Sequence, residues 1–114
     1  MSWITSHVLD TSLGHPAAGV SITLSLRSKD GSWKELGQDF TDSDGRVKNL
    51  LPEGSELTPG TYRLTFDTAS YFRARNTETL FPQVEVAFLV SDPKKRYHIP
   101  LLLSPFGYST YRGS

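Results

Sequence analysis

The sequence predicts an all-β fold, a two-layer sandwich of about seven to eight strands with one short helix. The main observation is that apolar residues alternate with polar ones along several short runs, which is the pattern of strands that bury one face. Turn residues separate these runs from one another. Length is the third observation, because this number of short strands in 114 residues fits a two-layer sandwich better than an eight-stranded barrel.

Four alternating rows of apolar residues carry the strand prediction. Side chains along a strand point to opposite faces in turn, so each row defines a face that is directed to the core. The rows are Val20, Ile22, Leu24 and Leu26; Tyr62, Leu64 and Phe66; Val84, Val86, Phe88 and Val90; and Tyr97, Ile99, Leu101 and Leu103. We expect these rows to meet between two sheets.

The segment of residues 68–76 is the stretch that does not follow the strand pattern. Its aromatic pair, Tyr71 and Phe72, together with Ala69 and Ala74, suits one or two helical turns after a polar start. The chain shows no internal repeat, linker or low-complexity stretch. We therefore expect residues 1–114 to form a single domain, since this length is ordinary for one hydrophobic core.

Composition excludes several classes of function. Lys plus Arg and Asp plus Glu each number 12, so the chain lacks the excess positive charge of nucleic-acid binders and polybasic membrane anchors. With no cysteine, it contains neither disulfides nor thiolate metal sites nor a thiol nucleophile. No stretch approaches the ~20 apolar residues of a membrane-spanning helix. We expect a soluble protein without nucleic-acid or membrane partners.

Two of the three histidines fall on strand faces that point away from the predicted core. His7 shares such a face with Leu9, and His98 shares one with Pro100 and Leu102. A face in plain contact with water would not need these apolar neighbours, so we expect a second protein surface to cover it. Imidazole titrates near neutral pH and serves as acid, base or ligand. An ordinary exposed histidine is the alternative interpretation at each position.

Two charged segments are read as turns. Residues 41–46 place an Asp-Gly turn before Arg46, and although their spacing is similar to that of a calcium loop, the oxygen ladder and closing Glu are missing. A hairpin turn with a solvated arginine is the simplest interpretation. Lys94-Lys95-Arg96 follows Asp92-Pro93 and is read as a charged turn tip.

Motifs for other chemistries are absent from the sequence. There is no Gly-x-Ser-x-Gly elbow, Gly-rich phosphate loop or His-Glu-x-x-His pair. His7 and His98 together would supply two zinc ligands, but a catalytic zinc site needs a third and none is obvious. We expect neither a metal nor an organic cofactor.

Four segments, distributed from the first predicted strand to the last residue, carry a distinctive sequence pattern. They are Ser6-His7-Val8-Leu9-Asp10, the Asp44-Gly45-Arg46 turn, Tyr97-His98-Ile99-Pro100-Leu101-Leu102-Leu103-Ser104-Pro105 and Tyr108-Ser109-Thr110-Tyr111-Arg112-Gly113-Ser114. In these segments the chain closely resembles the 5-hydroxyisourate hydrolases, the transthyretin-like enzymes of urate degradation. The terminal Tyr-Arg-Gly-Ser is the specific part, because the hormone-carrying transthyretins share the sandwich but lack it.

The resemblance implies a fold, an assembly and an activity. The fold is a prealbumin-like (transthyretin-like) β-sandwich, and the assembly is a homotetramer, a dimer of dimers with active sites at the dimer–dimer interface. The activity is a cofactor-free cyclic amidohydrolase of purine metabolism. It opens the ring of 5-hydroxyisourate to give 2-oxo-4-hydroxy-4-carboxy-5-ureidoimidazoline.

A small-molecule carrier that uses the same channel as a passive binding site is the alternative. Two imidazoles and a guanidinium favour the enzyme, because desolvating them costs free energy that an apolar ligand does not return.

Carried over position by position, the resemblance implies two overlapping sets of site residues. The catalytic set is His7, Arg46, His98 and Ser114, and the substrate-binding set is His7, Arg46, Tyr111, Arg112, Gly113 and Ser114. Either histidine suits the base that deprotonates water, with the other orienting substrate or acting as acid. The forked, permanently charged Arg46 suits the developing oxyanion or the anionic purine. Tyr111 suits a wall along the purine plane, and Ser114 offers its hydroxyl and terminal carboxylate as hydrogen-bond partners.

The expected compartment is the cytoplasm, because no targeting signal is visible. The segment Arg112-Gly113-Ser114 does not match the Ser-Lys-Leu peroxisomal address. Members of the family that the chain resembles occur in bacterial cytosol, periplasm and peroxisomes, and the peroxisome is the alternative.

Overall fold

Nine strands and one helix succeed one another in the computed structural model, which describes residues 3–114. Met1 and Ser2 of the predicted domain lie outside the described residues. The elements are β1 (Ile4–Asp10), β2 (His15–Pro16), β3 (Ser21–Arg27), β4 (Trp33–Phe40), β5 (Arg46–Val47), β6 (Gly60–Phe66), α1 (Thr68–Arg73), β7 (Val84–Val90), β8 (Tyr97–Ser104) and β9 (Gly107–Thr110). The predicted all-β fold with one short helix is confirmed, and the nine strands exceed the predicted seven to eight because two of them, β2 and β5, are only two residues long.

The strands form two sheets. The β1–β8 sheet has the order β2-β1-β8-β9, with β5 also paired to β1, and the β3–β6 sheet has the order β4-β3-β6-β7. The pairing of β1 with β8 is parallel, whereas the other pairs are antiparallel. This parallel pair joins two segments that are far apart in sequence, and it places the two predicted histidines on neighbouring strands.

The core lies between the sheets and is built from the predicted apolar rows. Residues with no exposed surface come from both layers, and they include Ile22, Leu24, Leu64, Phe66, Leu101 and Leu103. Burying each such side chain stabilises the fold by roughly 1.5–3 kcal/mol relative to exposure. On the edge strand β7, Val86 and Phe88 are half-buried, because that strand has a neighbour on one side alone.

The helix forms where the sequence departs from the strand pattern. Asp67 caps its first turn by accepting a hydrogen bond from the backbone N–H of Ser70, as N-cap residues do. Tyr71 and Phe72 are buried, and the Tyr71 hydroxyl donates a 2.7 Å hydrogen bond to Asp10 at the end of β1. In the part of the chain that the structure describes, no helix has the length and apolar character needed to cross a membrane.

Candidate active site

The register of β1 against β8 determines where the two histidines lie. Thr5 is paired with His98, and His7 is paired with Pro100. His7 therefore lies on the same outer face as His98, two residues further along the ladder. Ile4, like every second residue of β1, is buried, whereas the residues between are half-buried, as the alternation predicts. Both imidazoles therefore project from the outer face of the β1–β8 sheet.

Arg46 reaches this face because β5 pairs with the other edge of β1. It lies directly opposite His7 in the ladder. The preceding Gly45 has a φ of 74°, and a side chain there would collide with the carbonyl oxygen of Val8, so the turn needs glycine. Asp42 stabilises the turn by accepting hydrogen bonds from the backbone N–H groups of Asp44 (2.9 Å) and Arg46 (3.0 Å). The bond from the Arg46 N–H is the main reason that the pKa of Asp42 is lowered. The segment is a turn, as predicted, and it carries Arg46 to the edge of β1.

The ring of His98 is held on two sides. Its Nδ1 lies 2.7 Å from the hydroxyl oxygen of Thr5. The backbone carbonyl of His98 accepts a 2.8 Å hydrogen bond from the N–H of Gly113. This bond brings the tail, residues 111–114, against the ring. A side chain at position 113 would collide with Cδ2 of His98 and lie 3.2 Å from Cγ of Pro100. The tail is also the reason that Pro100, which we expected on the outer face, is buried.

His7 is held by the turn that carries Arg46. Its Nε2 lies 2.7 Å from the backbone carbonyl oxygen of Asp44. A carbonyl oxygen can act solely as an acceptor, so Nε2 carries the hydrogen of this bond. In the neutral ring the remaining nitrogen, Nδ1, is then an acceptor.

A groove of about 610 Å³ opens between β5 and the start of β8. The described residues that line it are Thr5, Ser6, Arg46, Val47, Lys48, Asn49, Arg96, His98 and Ser114. Three of them are cationic, and none of these described residues has an acidic side chain. Burial lowers the pKa of His98, and electrostatic interaction with Arg46 and with the nearby imidazole of His7 lowers it further. His98 is therefore neutral at physiological pH, in a groove suited to an anion.

Comparison with known proteins places this geometry in a family. The family model described as HIUase/Transthyretin matches residues 4–113. The chain belongs to the HIUase/Transthyretin family. A curated 5-hydroxyisourate hydrolase of Mus musculus is 46% identical over 112 residues, which cover 97% of this chain and 94% of the mouse protein.

Solved structures of the HIUase/Transthyretin family match the whole sandwich. The 5-hydroxyisourate hydrolase of Klebsiella pneumoniae has a TM-score of 0.86 and 33% identity, with 100% of both chains covered. Sea bream transthyretin in complex with thyroxine has a TM-score of 0.89 and 32% identity, with 97% of this chain and 94% of that chain covered. The backbone of this chain matches the hydrolase and the transthyretin with similar TM-scores. Side chains therefore have to decide between an enzyme and a carrier.

The terminal segment divides between two places in this family member. Ser114 lines the groove, and Gly113 packs on His98. Tyr111 and Arg112 instead line a smaller groove of about 220 Å³ beside β7, where the Arg112 guanidinium lies 4.6 Å from the centroid of the Tyr97 ring. Within one copy of the chain, Tyr111 and Arg112 do not line the groove that holds His98.

Thr5, Lys48, Asn49 and Arg96 line the groove but were not among the predicted site residues. The signal for three of them is strand alternation. Thr5 is two residues before His7, Lys48 is two residues after Arg46, and Arg96 is two residues before His98. Arg96 does lie beside a turn, as predicted, but it also lines the groove.

Proposed function

We propose that this chain is a cofactor-free cyclic amidohydrolase that opens the ring of 5-hydroxyisourate. The observation that carries the proposal is a neutral imidazole, His98, in one groove with the permanently charged Arg46. Similarity to proteins named 5-hydroxyisourate hydrolase supports this choice of substrate. The cationic groove is compatible with an anionic purine and with the carboxylate that ring opening produces.

His98 is the proposed general base. A base must be unprotonated at working pH, and its lowered pKa provides that. Its Nδ1 is occupied by the Thr5 hydroxyl, so Nε2, across the ring, is the nitrogen that exchanges protons with water. His7 is not among the described residues that line the groove, but it lies directly opposite Arg46. It is the proposed orienting residue, because its Nε2–H donates to the carbonyl of Asp44 in the turn that carries Arg46.

Arg46 is the proposed stabiliser of negative charge. Attack of water on the ring carbonyl places charge on the carbonyl oxygen, and a positioned guanidinium stabilises that charge in the transition state. Arg46 is exposed, and it makes no ion pair with a carboxylate within 4.0 Å among residues 3–114. Its hydrogen-bonding capacity is therefore available to the substrate.

The reaction balances with protein groups and one water. His98 removes a proton from water as the water oxygen bonds to the carbonyl carbon, and the carbon–nitrogen bond then breaks. Protonated His98 returns its proton to the leaving ring nitrogen, which becomes part of the ureido group. The new carboxylic acid ionises in water, and Ser114 is placed to donate a hydrogen bond to substrate or product.

A continuous absorbance assay tests the activity. Urate and its oxidase generate 5-hydroxyisourate in the cuvette, and its ultraviolet absorbance then decays. We expect decay faster than the spontaneous rate, in proportion to protein concentration, and loss of this acceleration in His98→Gln. An unchanged decay rate at micromolar protein would refute the hydrolase.

The carrier alternative makes the opposite prediction. A carrier binds a ligand such as thyroxine, which the sea bream transthyretin structure contains, without turnover. Calorimetric titration with thyroxine would then show tight binding that survives His98→Gln. The polar groove argues against this outcome, because covering its cations with the large apolar body of such a ligand would desolvate them at a cost in free energy.

We further propose that the active assembly is a homotetramer, a dimer of dimers in which a second dimer covers the groove. Leu9 and Leu102 are half-buried on the same outer face as the histidines. Large apolar side chains, Leu89 on β7 and Tyr108 on β9, are exposed on the edge strands. Native mass spectrometry tests the assembly, and a monomer that retains full activity would contradict it.

The compartment is a separate proposal, constrained by the chemistry of the substrate. Because 5-hydroxyisourate decays spontaneously, its hydrolase has to work beside the oxidation of urate that forms it. We propose the cytoplasm, with the peroxisome as the alternative. Fractionation together with the urate-oxidising activity tests this proposal.

A further inference from the structure

We propose that Thr5 is a positioning residue whose hydroxyl accepts the Nδ1–H of His98 and so keeps the lone pair of Nε2 toward the groove. The inference rests on the proposed hydrolysis and adds to it the group that selects the tautomer of the base. Thr5 itself need not bond to the reacting atoms, since its effect on them passes through the imidazole.

The backbone places Thr5 and His98 side by side. They are direct partners in the parallel ladder of β1 and β8, and both side chains are half-buried on the same outer face. The distance from Thr5 Oγ1 to His98 Nδ1 is 2.7 Å, which is a good hydrogen bond. Both residues line the groove. The contact is therefore part of the site.

The direction of this hydrogen bond follows from the proton cycle. If the Thr5 hydroxyl accepts from Nδ1–H, the bond stays intact when Nε2 gains a proton, because Nδ1 carries hydrogen in both states. If the hydroxyl instead donated to Nδ1, Nε2 would carry the hydrogen of the neutral ring and would have no lone pair for water. The base in the proposed reaction requires the first arrangement.

Threonine is suited to this position because it is stiff and uncharged. Branching at Cβ restricts χ1, so the hydroxyl has a defined direction. An aspartate there would stabilise the imidazolium and raise the pKa of His98, whereas a hydroxyl orients the ring without a full charge. On the other side, Gly113 lies so close to the ring that an added Cβ would collide with Cδ2 of His98.

Two substitutions separate the hydroxyl from the shape of the side chain. Thr5→Val keeps the branched shape and removes the oxygen, and Thr5→Ser keeps the oxygen. We expect Thr5→Val to lower kcat by about tenfold to a hundredfold with KM nearly unchanged, as loss of a group that orients a functional histidine typically does. We expect Thr5→Ser to retain most of the activity. Thr65→Val, on the outer face of the β3–β6 sheet, is the matched control and should be neutral.

The tautomer provides a readout that does not depend on activity. Nitrogen-15 chemical shifts of His98 in the folded protein should report hydrogen on Nδ1 in wild type and Thr5→Ser, and a shift toward hydrogen on Nε2 in Thr5→Val. Circular dichroism and thermal melting establish that each variant is folded. If Thr5→Val does not fold, Thr5→Ala is measured in its place against Thr5→Ser.

Three outcomes would overturn the inference. They are full kcat in Thr5→Val, equal losses in Thr5→Val and Thr5→Ser, or hydrogen on Nε2 of His98 in the wild type. Wild-type protein that leaves 5-hydroxyisourate untouched would refute the proposed function instead. In that case the chemical shifts still decide whether Thr5 selects the tautomer.

Discussion

The outer faces of the two sheets both carry arginines, but they use them in opposite ways. On the β3–β6 sheet, Arg63 forms a 2.9 Å salt bridge with Glu85, and its guanidinium lies 4.3 Å from the centroid of the Trp33 ring. On the β1–β8 sheet, Arg46 and His98 line an open groove that has no acidic side chain among its described residues. The first surface pairs its arginine with a carboxylate and an aromatic ring of its own sheet, whereas the second presents its cations without a carboxylate side chain beside them.

This contrast shows how a site is recognised on a sheet. Charged residues on strands are frequent and usually solvated or paired, as at Arg63. A group of cations around an imidazole of lowered pKa is unusual, because like charges repel unless a ligand compensates them.

Arg46→Ala should nearly abolish turnover. Removing one donor to a developing oxyanion typically costs about a hundredfold or more in kcat. The thermal midpoint should change little, since Arg46 is exposed and contributes little packing. The absorbance assay and a thermal melt measure the two effects. Arg63→Ala is the control on the other sheet, and a collapse of the Arg46→Ala melting temperature would make Arg46 structural.

Gly113→Ala should lower kcat by about tenfold to a hundredfold, because the new methyl group displaces the ring of His98, and small misplacements of catalytic groups have effects of this size. The fold should persist, since the tail is mostly exposed. Gly107→Ala is the matched control, because its added methyl would meet Ser104 Oγ at an ordinary 3.7 Å. Equal activity of the two variants would remove the tail from the site.

Arg46→Gln should raise the pKa of His98. Burial is the main reason that this pKa is lowered in the native protein, and the charge of Arg46, which this substitution removes, lowers it further. The neutral ring is favoured in the folded state, so His98 makes folding less favourable as pH falls below its unfolded pKa. Activity of the wild type should persist to lower pH than an ordinary histidine would allow. Titration of His98 by NMR measures the shift, with Arg27→Gln on the other sheet as control.

Glu85→Gln should have the smallest effect. The side chains of Arg63 and Glu85 are 24% and 46% exposed, and salt bridges in such positions contribute about 1 kcal/mol or less to the free energy of unfolding. Denaturant unfolding of Glu85→Gln, Arg63→Ala and the double variant isolates the interaction free energy of the Arg63–Glu85 pair. We expect kcat to be unchanged, and a loss of activity would contradict the separation of the two faces.

Part of the site was predictable from local sequence. Alternation along β1 and β8 placed His7 and His98 away from the core, and the structure agrees. The same alternation applied to Thr5 and Arg96 would have included them. Neither residue type stands out in isolation, because threonine and arginine are common on the solvated faces and turns of β proteins.

The positions of other site residues depend on contacts with segments that are distant in sequence. Arg46 looked like a solvated turn residue until β5 paired with β1 and placed it opposite His7. Pro100 follows strand alternation, yet it is buried because the tail covers it. Tyr111 and Arg112 adjoin Gly113 in sequence but lie in another groove, because the chain leaves β9 at Thr110.

The amino-acid sequence by itself determined the all-β class, the apolar rows of the core and the outward direction of both histidines, because side-chain alternation is a local property of a strand. The tertiary structure alone decided which outward residues meet. The parallel pairing of β1 with β8 sets the Thr5–His98 hydrogen bond, and the β1–β5 pairing brings Arg46 to His7. Contacts between strands depend on register, and register results from the packing of the whole core rather than from any one segment.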